Sequence, residues 1–277
     1  MKIKKITAAW FSPTGNTRKI VQAVADSAAE RLGAPLKTID FTLPAARENE
    51  ITSGKHELLV IGLPVYAGRV PNKILPFVHE KVKGDLAFAL PVVTFGNRSF
   101  GDALSELTLE LMMGGFRIAG AGAFVAEHCM VPELGTGRPN EKDLRGAKTL
   151  GRHTADRLSE ISKNKDLGFP TVDGEMPPGP YYTPLKEDGT PAKFLKAKPV
   201  TDPERCTNCG TCASVCPMGS IDRENVKDVK RICIKCQACI KSCPEGAKYF
   251  DDPDLLSHHA YLRAHFTEPQ GNQYYLF

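Results

Sequence analysis

Apolar positions repeat in two alternating rhythms over about the first 160 residues. From Ile3 to Phe11 a short apolar-rich run carries β-branched and aromatic residues and predicts a strand. Then Ile20, Val21, Val24, Ala28 and Leu32 recur at helical spacing, so a helix is predicted to begin near Asn16. Residues 35–41 predict a second strand. Residues 57–63 predict a third, nearly all apolar, as a strand buried on both faces should be. A helix follows over about 71–81, then a fourth strand over 85–95. Leu104, Leu107, Leu111 and Met112 predict the next helix, residues 116–126 a fifth strand, and 141–161 a last helix. Alternating elements of this kind predict an α/β fold, a doubly wound five-stranded parallel sheet with helices on both faces.

The rhythm stops near residue 162. Gly168, Pro170, Pro177, Pro178, Gly179, Pro180, Pro184, Gly189 and Pro191 predict a stiff, extended linker, and Tyr181, Tyr182 and Phe194 suggest that it packs on a surface. The last segment has Leu255, Leu256, Tyr261, Leu262 and Phe266 at roughly helical spacing and ends Tyr274-Tyr275-Leu276-Phe277, which is too apolar to leave in water. The expected division is a first domain over 1–162, a linker over 163–199, a small domain over 200–250 and a strap over 251–277 that crosses the small domain or the interface. His258, His259 and His265 in the strap are read as surface histidines rather than metal ligands.

With 277 residues, 42% hydrophobic and 25% charged, the composition is that of an ordinary globular chain. No apolar run reaches membrane-spanning length, and the Lys-rich start runs into Ser12-Pro13-Thr14-Gly15, so a strand and a loop are expected there rather than a leader. The expected location is cytoplasmic, where nine cysteines point to metal rather than to disulfides.

Eight of those cysteines form one pattern written twice: Cys206-x2-Cys209-x2-Cys212-x3-Cys216-Pro217 and Cys233-x2-Cys236-x2-Cys239-x3-Cys243-Pro244. A zinc site usually uses two Cys-x2-Cys pairs on a longer spacing, which this is not. The pattern resembles the bacterial two-cluster ferredoxin, in which each cysteine before proline ligates the other cluster. The resemblance implies two 4Fe–4S clusters and a small α+β ferredoxin-like domain. One cluster takes Cys206, Cys209, Cys212 and Cys243, the other Cys233, Cys236, Cys239 and Cys216. Charge fits this expectation. Residues 191–250 hold eleven Lys or Arg against six Asp or Glu. Two thiolate-ligated clusters contribute about −4 by formal counting. The formal excess of +4 is thus internal compensation, not a nucleic-acid surface.

The first strand ends in Ser12-Pro13-Thr14-Gly15-Asn16-Thr17 at a predicted helix start. Hydroxyls, unpaired N–H groups and the positive end of a helix dipole together make a phosphate site. Neither the Walker loop nor the Gly-x-Gly-x-x-Gly fingerprint is present. The string resembles the flavodoxin phosphate loop. The resemblance implies FMN, its phosphate held by Ser12, Thr14, Gly15, Asn16 and Thr17. The loops after the third and fourth strands, Pro64, Val65, Tyr66, Ala67, Gly68 and Thr94, Phe95, Gly96, Asn97, Arg98, Phe100, Gly101, then flank the flavin ring at the carboxyl edge of the sheet. Tyr66 is the first choice for stacking, with Phe95 and Phe100 as rivals. These loops carry Arg69 and Arg98 and no acid, so a raised flavin potential is expected. His128 is a candidate flavin donor or proton shuttle, and Cys129 a buried, inert thiol.

Both halves together resemble flavodoxin–ferredoxin fusion proteins of anaerobes. The resemblance implies an electron relay between clusters and FMN, with ferredoxin-linked oxidoreductases as partners. Two alternatives are kept: an FMN-dependent reductase of a quinone, nitro compound or disulfide, and a redox sensor. The clusters reach the flavin within the chain or across a head-to-tail homodimer, and the residues do not decide between these.

Overall fold

Strand and helix alternate as the apolar rhythm requires. A computed structural model describes residues 2–161 and 167–277; residues 163–166 of the expected linker lie outside them. The first half contains β1 (Lys5–Trp10), α1 (Asn16–Leu32), β2 (Leu36–Asp40), β3 (Ile51–Ser53), β4 (Glu57–Pro64), α2 (Leu75–Lys81), β5 (Val82–Gly84), β6 (Phe88–Phe95), α3 (Ala103–Met113), β7 (Arg117–Ile118), β8 (Gly120–Val125) and α4 (Glu141–Glu160). The second half contains β9 (Val200–Thr201), α5 (Thr211–Ser214), α6 (Ala238–Lys241), β10 (Lys248–Tyr249), α7 (Pro253–His265) and β11 (Gln273–Leu276).

The main sheet runs β11-β8-β6-β4-β1-β2, with β7 alongside β6. Its five long parallel strands keep the order 2-1-3-4-5 of a flavodoxin-like doubly wound fold. The sequence reading of five strands is corrected in two places. The fifth strand is split, because β7 pairs with Phe88 and Ala89 while β8 pairs from Val92 onward. Between them stands Pro91, which has no N–H to donate to a ladder. The chain's end adds β11 antiparallel to β8, so the strap closes a sheet edge as well as crossing an interface. Tyr274 and Leu276 remain 44% and 47% exposed there, contrary to the burial expected of them.

Two apolar layers sandwich the sheet. Ile20 and Val24 of α1 and Leu150 and Leu158 of α4 bury against Ile6, Leu58 and Leu90. On the other face Phe77 of α2 and Leu104 and Leu107 of α3 bury against Leu59, Ile61 and Val93. Each such side chain contributes about 1.5–3 kcal/mol on leaving water. The α1–α4 contact is close enough that a Cβ on Gly151 would run into the Val24 carbonyl. Among the described residues no helix is long and apolar enough to cross a membrane.

The second half lies against this layer system. Met218 and Ile234 pack on the α2–α3 side of the core. Arg47 donates to the Pro217 carbonyl at 2.5 Å, and Lys241 on α6 pairs with Glu127 after β8 at 2.7 Å. Helix α7 bridges the halves: Leu255 packs with Ala197 and Phe250, and Leu262 with Val131 and Leu134. The described linker lies along the first half as far as Tyr182, through Tyr182 N–H to the Ala67 carbonyl and Gly179 N–H to Asp102, and then passes to α7, where Glu187 and Lys193 donate to Ser257 and Asp254.

Candidate functional site

The two cysteine copies fold into one backbone shape used twice. Asn208 and Gly210 flank Cys209 with φ of 54° and 77°; Lys235 and Gln237 flank Cys236 with 57° and 64°. These left-handed residues curl each loop around its own hollow and start the short helices α5 and α6, which carry Cys212 and Cys239. The proline-bound cysteines cross over. One hollow of about 310 Å³ is lined by Cys206, Cys209, Cys212 and Cys243, the other, about 370 Å³, by Cys233, Cys236, Cys239 and Cys216.

Among the described residues no group of three His, Cys, Asp or Glu side chains closes on a single metal ion. A cubane spreads its four irons, each with its own thiolate, and so suits the wider hollows. Backbone N–H groups of Ser220, Lys235 and Ala247 donate to the sulfurs of Cys216, Cys233 and Cys243 at 3.3, 3.4 and 3.2 Å. Burial pushes the Cys236 thiol far up and the Cys239 thiol up to about 12, so a thiolate at either position needs a cationic centre beside it.

At the carboxyl edge of the sheet, where the strand order reverses between β1 and β4, lies a cleft of about 640 Å³. Thr14, Asn16 and Thr17 line it at one end. Residues 64–68, Thr94, Phe95, Gly96 and Arg98 line the middle, and Glu127, His128 and Cys129 the far wall. Helix α1 starts at left-handed Gly15 with no side-chain cap from that residue. Among the described residues, the Thr14, Asn16 and Thr17 amides have no acceptor. Thr17 Oγ1 and Thr94 Oγ1 share a 2.7 Å hydrogen bond that ties this loop to β6. Free amides at a helix start fit a phosphate.

Not every expected residue lines the cleft. The Ser12 hydroxyl accepts from Arg18 N–H at 3.0 Å and serves the helix start; Gly15 supplies the turn. Asn97 is buried and its side chain holds the carbonyls of Phe266 and Glu268 and the amide of Gln270. Phe100 is buried against Phe95, and Gly101 packs on Gly68 where a Cβ has no room. Arg69 does not face the cleft. It pairs with buried Glu106, donates to the Gly179 carbonyl and lies 4.9 Å over Tyr181. Arg98 does line the cleft. Its guanidinium lies 3.9 Å over the Tyr182 ring and, among the described residues, has no carboxylate or hydrogen-bond acceptor. Burial lowers its pKa for that reason.

His128 is not suited to proton shuttling. Its Nδ1 accepts the N–H groups of Met130 and Val131 at 3.3 and 3.1 Å, which leaves the ring proton on Nε2. Burial, followed by the charges of His259, His258, Arg98 and Lys241, depresses its pKa to about 3. The ring is a neutral N–H donor at physiological pH. Cys129 beside it is held protonated, its pKa raised by burial to about 11.

A third hollow, about 700 Å³, joins these parts. It shares Val65, Tyr66, Ala67, Arg98, His128 and Cys129 with the cleft, and Ile234 and Lys235 with the nearer cysteine hollow. Burial, with Cys236, Cys129 and Cys233 nearby, drives the Tyr66 hydroxyl's pKa well up. Tyr66 is the junction of the two halves. Pro13, Ser99 and Ala126 complete the cleft without any signal in the sequence, and Tyr182, Phe194, His258 and Leu262 reach the third hollow from far along the chain. His258 and His259 are 4% and 9% exposed, not the surface residues expected.

A 4Fe-4S dicluster domain family matches residues 197–248. Pyruvate synthase subunit PorD of Methanothermobacter marburgensis is 38% identical over 68 residues, 23% of this chain and 83% of that one. The chain is a flavodoxin–ferredoxin fusion. An uncharacterized ferredoxin of Methanocaldococcus jannaschii is 39% identical to the fusion over 85 residues, 27% of this chain and 58% of that one. The fusion spans only 12 to 58% of the length of three curated relatives it matches. A flavodoxin from the domain Archaea superposes with a TM-score of 0.40 at 14% identity, covering 56% of this chain and 99% of that one. The flavodoxin-like half of the fusion is established by its own strand order. Both halves are electron-transfer folds.

Proposed function

We propose that the fusion relays electrons between two 4Fe–4S clusters and FMN within one chain, exchanging them with protein redox partners. The junction at Tyr66 carries this reading, because that side chain lines the cleft and shares the third hollow with Ile234 and Lys235 of the second cysteine loop. The cluster nearer the flavin takes Cys216, Cys233, Cys236 and Cys239; the farther one takes Cys206, Cys209, Cys212 and Cys243. Thr14, Asn16 and Thr17 hold the phosphate, and residues 64–68, Thr94, Phe95, Gly96 and Arg98 surround the ring. FMN supplies two-electron capacity beside single-electron clusters. Exposed Cys209 supports a surface position for the farther cluster, within reach of a partner. The head-to-tail dimer is not required for contact between the cofactors.

Anaerobic stopped-flow tests the relay. Reduced ferredoxin is expected to bleach clusters and flavin in sequence, with NAD(P)H inert. Rapid bleaching of the flavin by NAD(P)H, with ferredoxin inert, would reject it.

Arg98 then acts on the flavin. An unpaired guanidinium favours the anionic reduced ring over the neutral oxidised one. Arg98→Ala is expected to lower the two-electron flavin potential, and an unchanged potential removes Arg98 from this role. The third hollow favours a second reading, reduction of a small molecule at the flavin.

A further inference from the structure

The third hollow is more than the relay needs. The cleft beside it already has the phosphate end that a flavin mononucleotide requires, whereas this hollow has no helix start. Its walls are instead largely apolar, with several polar groups left unpaired, three of which matter here. Tyr182 and Phe194 present aromatic rings; the Phe194 ring stacks on His258 at 5.5 Å.

The polar atoms differ in kind. Arg98 has unpaired N–H groups among the described residues. His128 offers Nε2–H, since its Nδ1 is taken by two backbone donors. His258 is the opposite tautomer. Its Nδ1 lies 2.8 Å from the Leu185 carbonyl, which has no proton to give, so Nδ1 carries the proton and Nε2 is a bare acceptor. No protein group among the described residues satisfies that Nε2. Two donors from the wall shared with the cleft, one acceptor from outside that wall and aromatic rings in the lining describe a ligand.

We infer that this hollow is a binding chamber for a planar aromatic carbonyl compound that carries a hydroxyl or N–H at its far edge. The carbonyl accepts from Arg98 and His128. The hydroxyl donates to His258 Nε2. The ring lies among Tyr182 and Phe194, next to the wall that the chamber shares with the cleft. This goes beyond the relay, which assigns the chain no small-molecule ligand.

The test is calorimetric titration of the holoprotein with 4-hydroxyacetophenone and, separately, with acetophenone, which lacks the hydroxyl. Flavin content is measured on the same sample, so that loss of the flavin reading is recognised independently of binding. The hydroxy compound is expected to bind once per chain and about tenfold more tightly than acetophenone, the worth of one hydrogen bond of about 1.4 kcal/mol. His258→Asn keeps a donor for the Leu185 carbonyl but, being shorter, leaves no acceptor at the Nε2 position. It is expected to erase that tenfold preference while leaving acetophenone binding unchanged. Phe194→Trp narrows the chamber and is expected to weaken both compounds. Absence of saturable binding overturns the proposal. So does binding that neither variant alters, since it would lie elsewhere.

Discussion

Cys236→Ser is expected to disconnect the flavin from electrons delivered by a protein donor. Cys236 lines the hollow nearer the cleft, and its neighbour Lys235 shares the third hollow with Tyr66. Loss of one thiolate removes that cluster, so iron and sulfide fall by about half. In anaerobic mixing with reduced ferredoxin, the remaining cluster bleaches and the flavin does not. Cys209→Ser costs the same half of the iron but removes the farther cluster, and there the flavin still bleaches, more slowly. The asymmetry is the point of the comparison. If both variants bleach alike, or if Cys236→Ser bleaches the flavin at the parental rate, the order of cofactors is wrong. The second half has a small core, built around Cys212, Ala213, Ile221, Val226 and Cys239, so cluster loss also loosens its fold. Retained flavin and retained spectrum of the remaining cluster show that each variant is still assembled.

Arg69→Ala is expected to destabilise the flavodoxin-like half by about 3–5 kcal/mol, because it leaves a buried carboxylate without its counter-ion. The side chains of Arg69 and Glu106 are only 13% and 3% exposed. Glu106 would keep one donor, the Val70 amide at 2.8 Å. The same substitution frees the Gly179 carbonyl and uncovers the Tyr181 ring, so the linker keeps only its ties through Asp102, Ser105 and the Val70 carbonyl. Trp10 is the sole tryptophan and is buried in β1, so its emission in a urea titration reads this half alone. The double variant Arg69→Met/Glu106→Gln removes both charges at similar volume and is expected to recover most of the loss. A loss below about 1 kcal/mol for Arg69→Ala would mean a solvated pair of the surface kind.

Arg69 and Arg98 show how far a residue pattern reaches. Both stand in loops beside the cleft and both were expected to act on the flavin. The partner that separates them, Glu106, lies 37 residues from Arg69 on a helix face with no distinguishing local signal. Asn97 is the same case in reverse. Its place in a glycine-rich loop suggested cofactor contact, yet the side chain is consumed by the chain's last segment.

What the residues alone determined is whatever depends on neighbours close in sequence. The doubled cysteine spacing shapes each three-cysteine loop, because loop curvature is set within a dozen residues; the crossing of the fourth cysteines was what the resemblance implied, and the fold brings Cys243 to the first loop and Cys216 to the second. Alternating apolar periods define a doubly wound sheet, because each period has one way to bury its face. The tertiary structure decided which surfaces meet. Tyr66 comes to share a hollow with Ile234 and Lys235, and His258 lines the same hollow as Val65. Strand β11 joins the sheet through backbone hydrogen bonds that almost any residue can make, so its sequence carries no address. Such contacts are the sum of many weak, non-directional burials across distant segments, and only the folded chain adds them up.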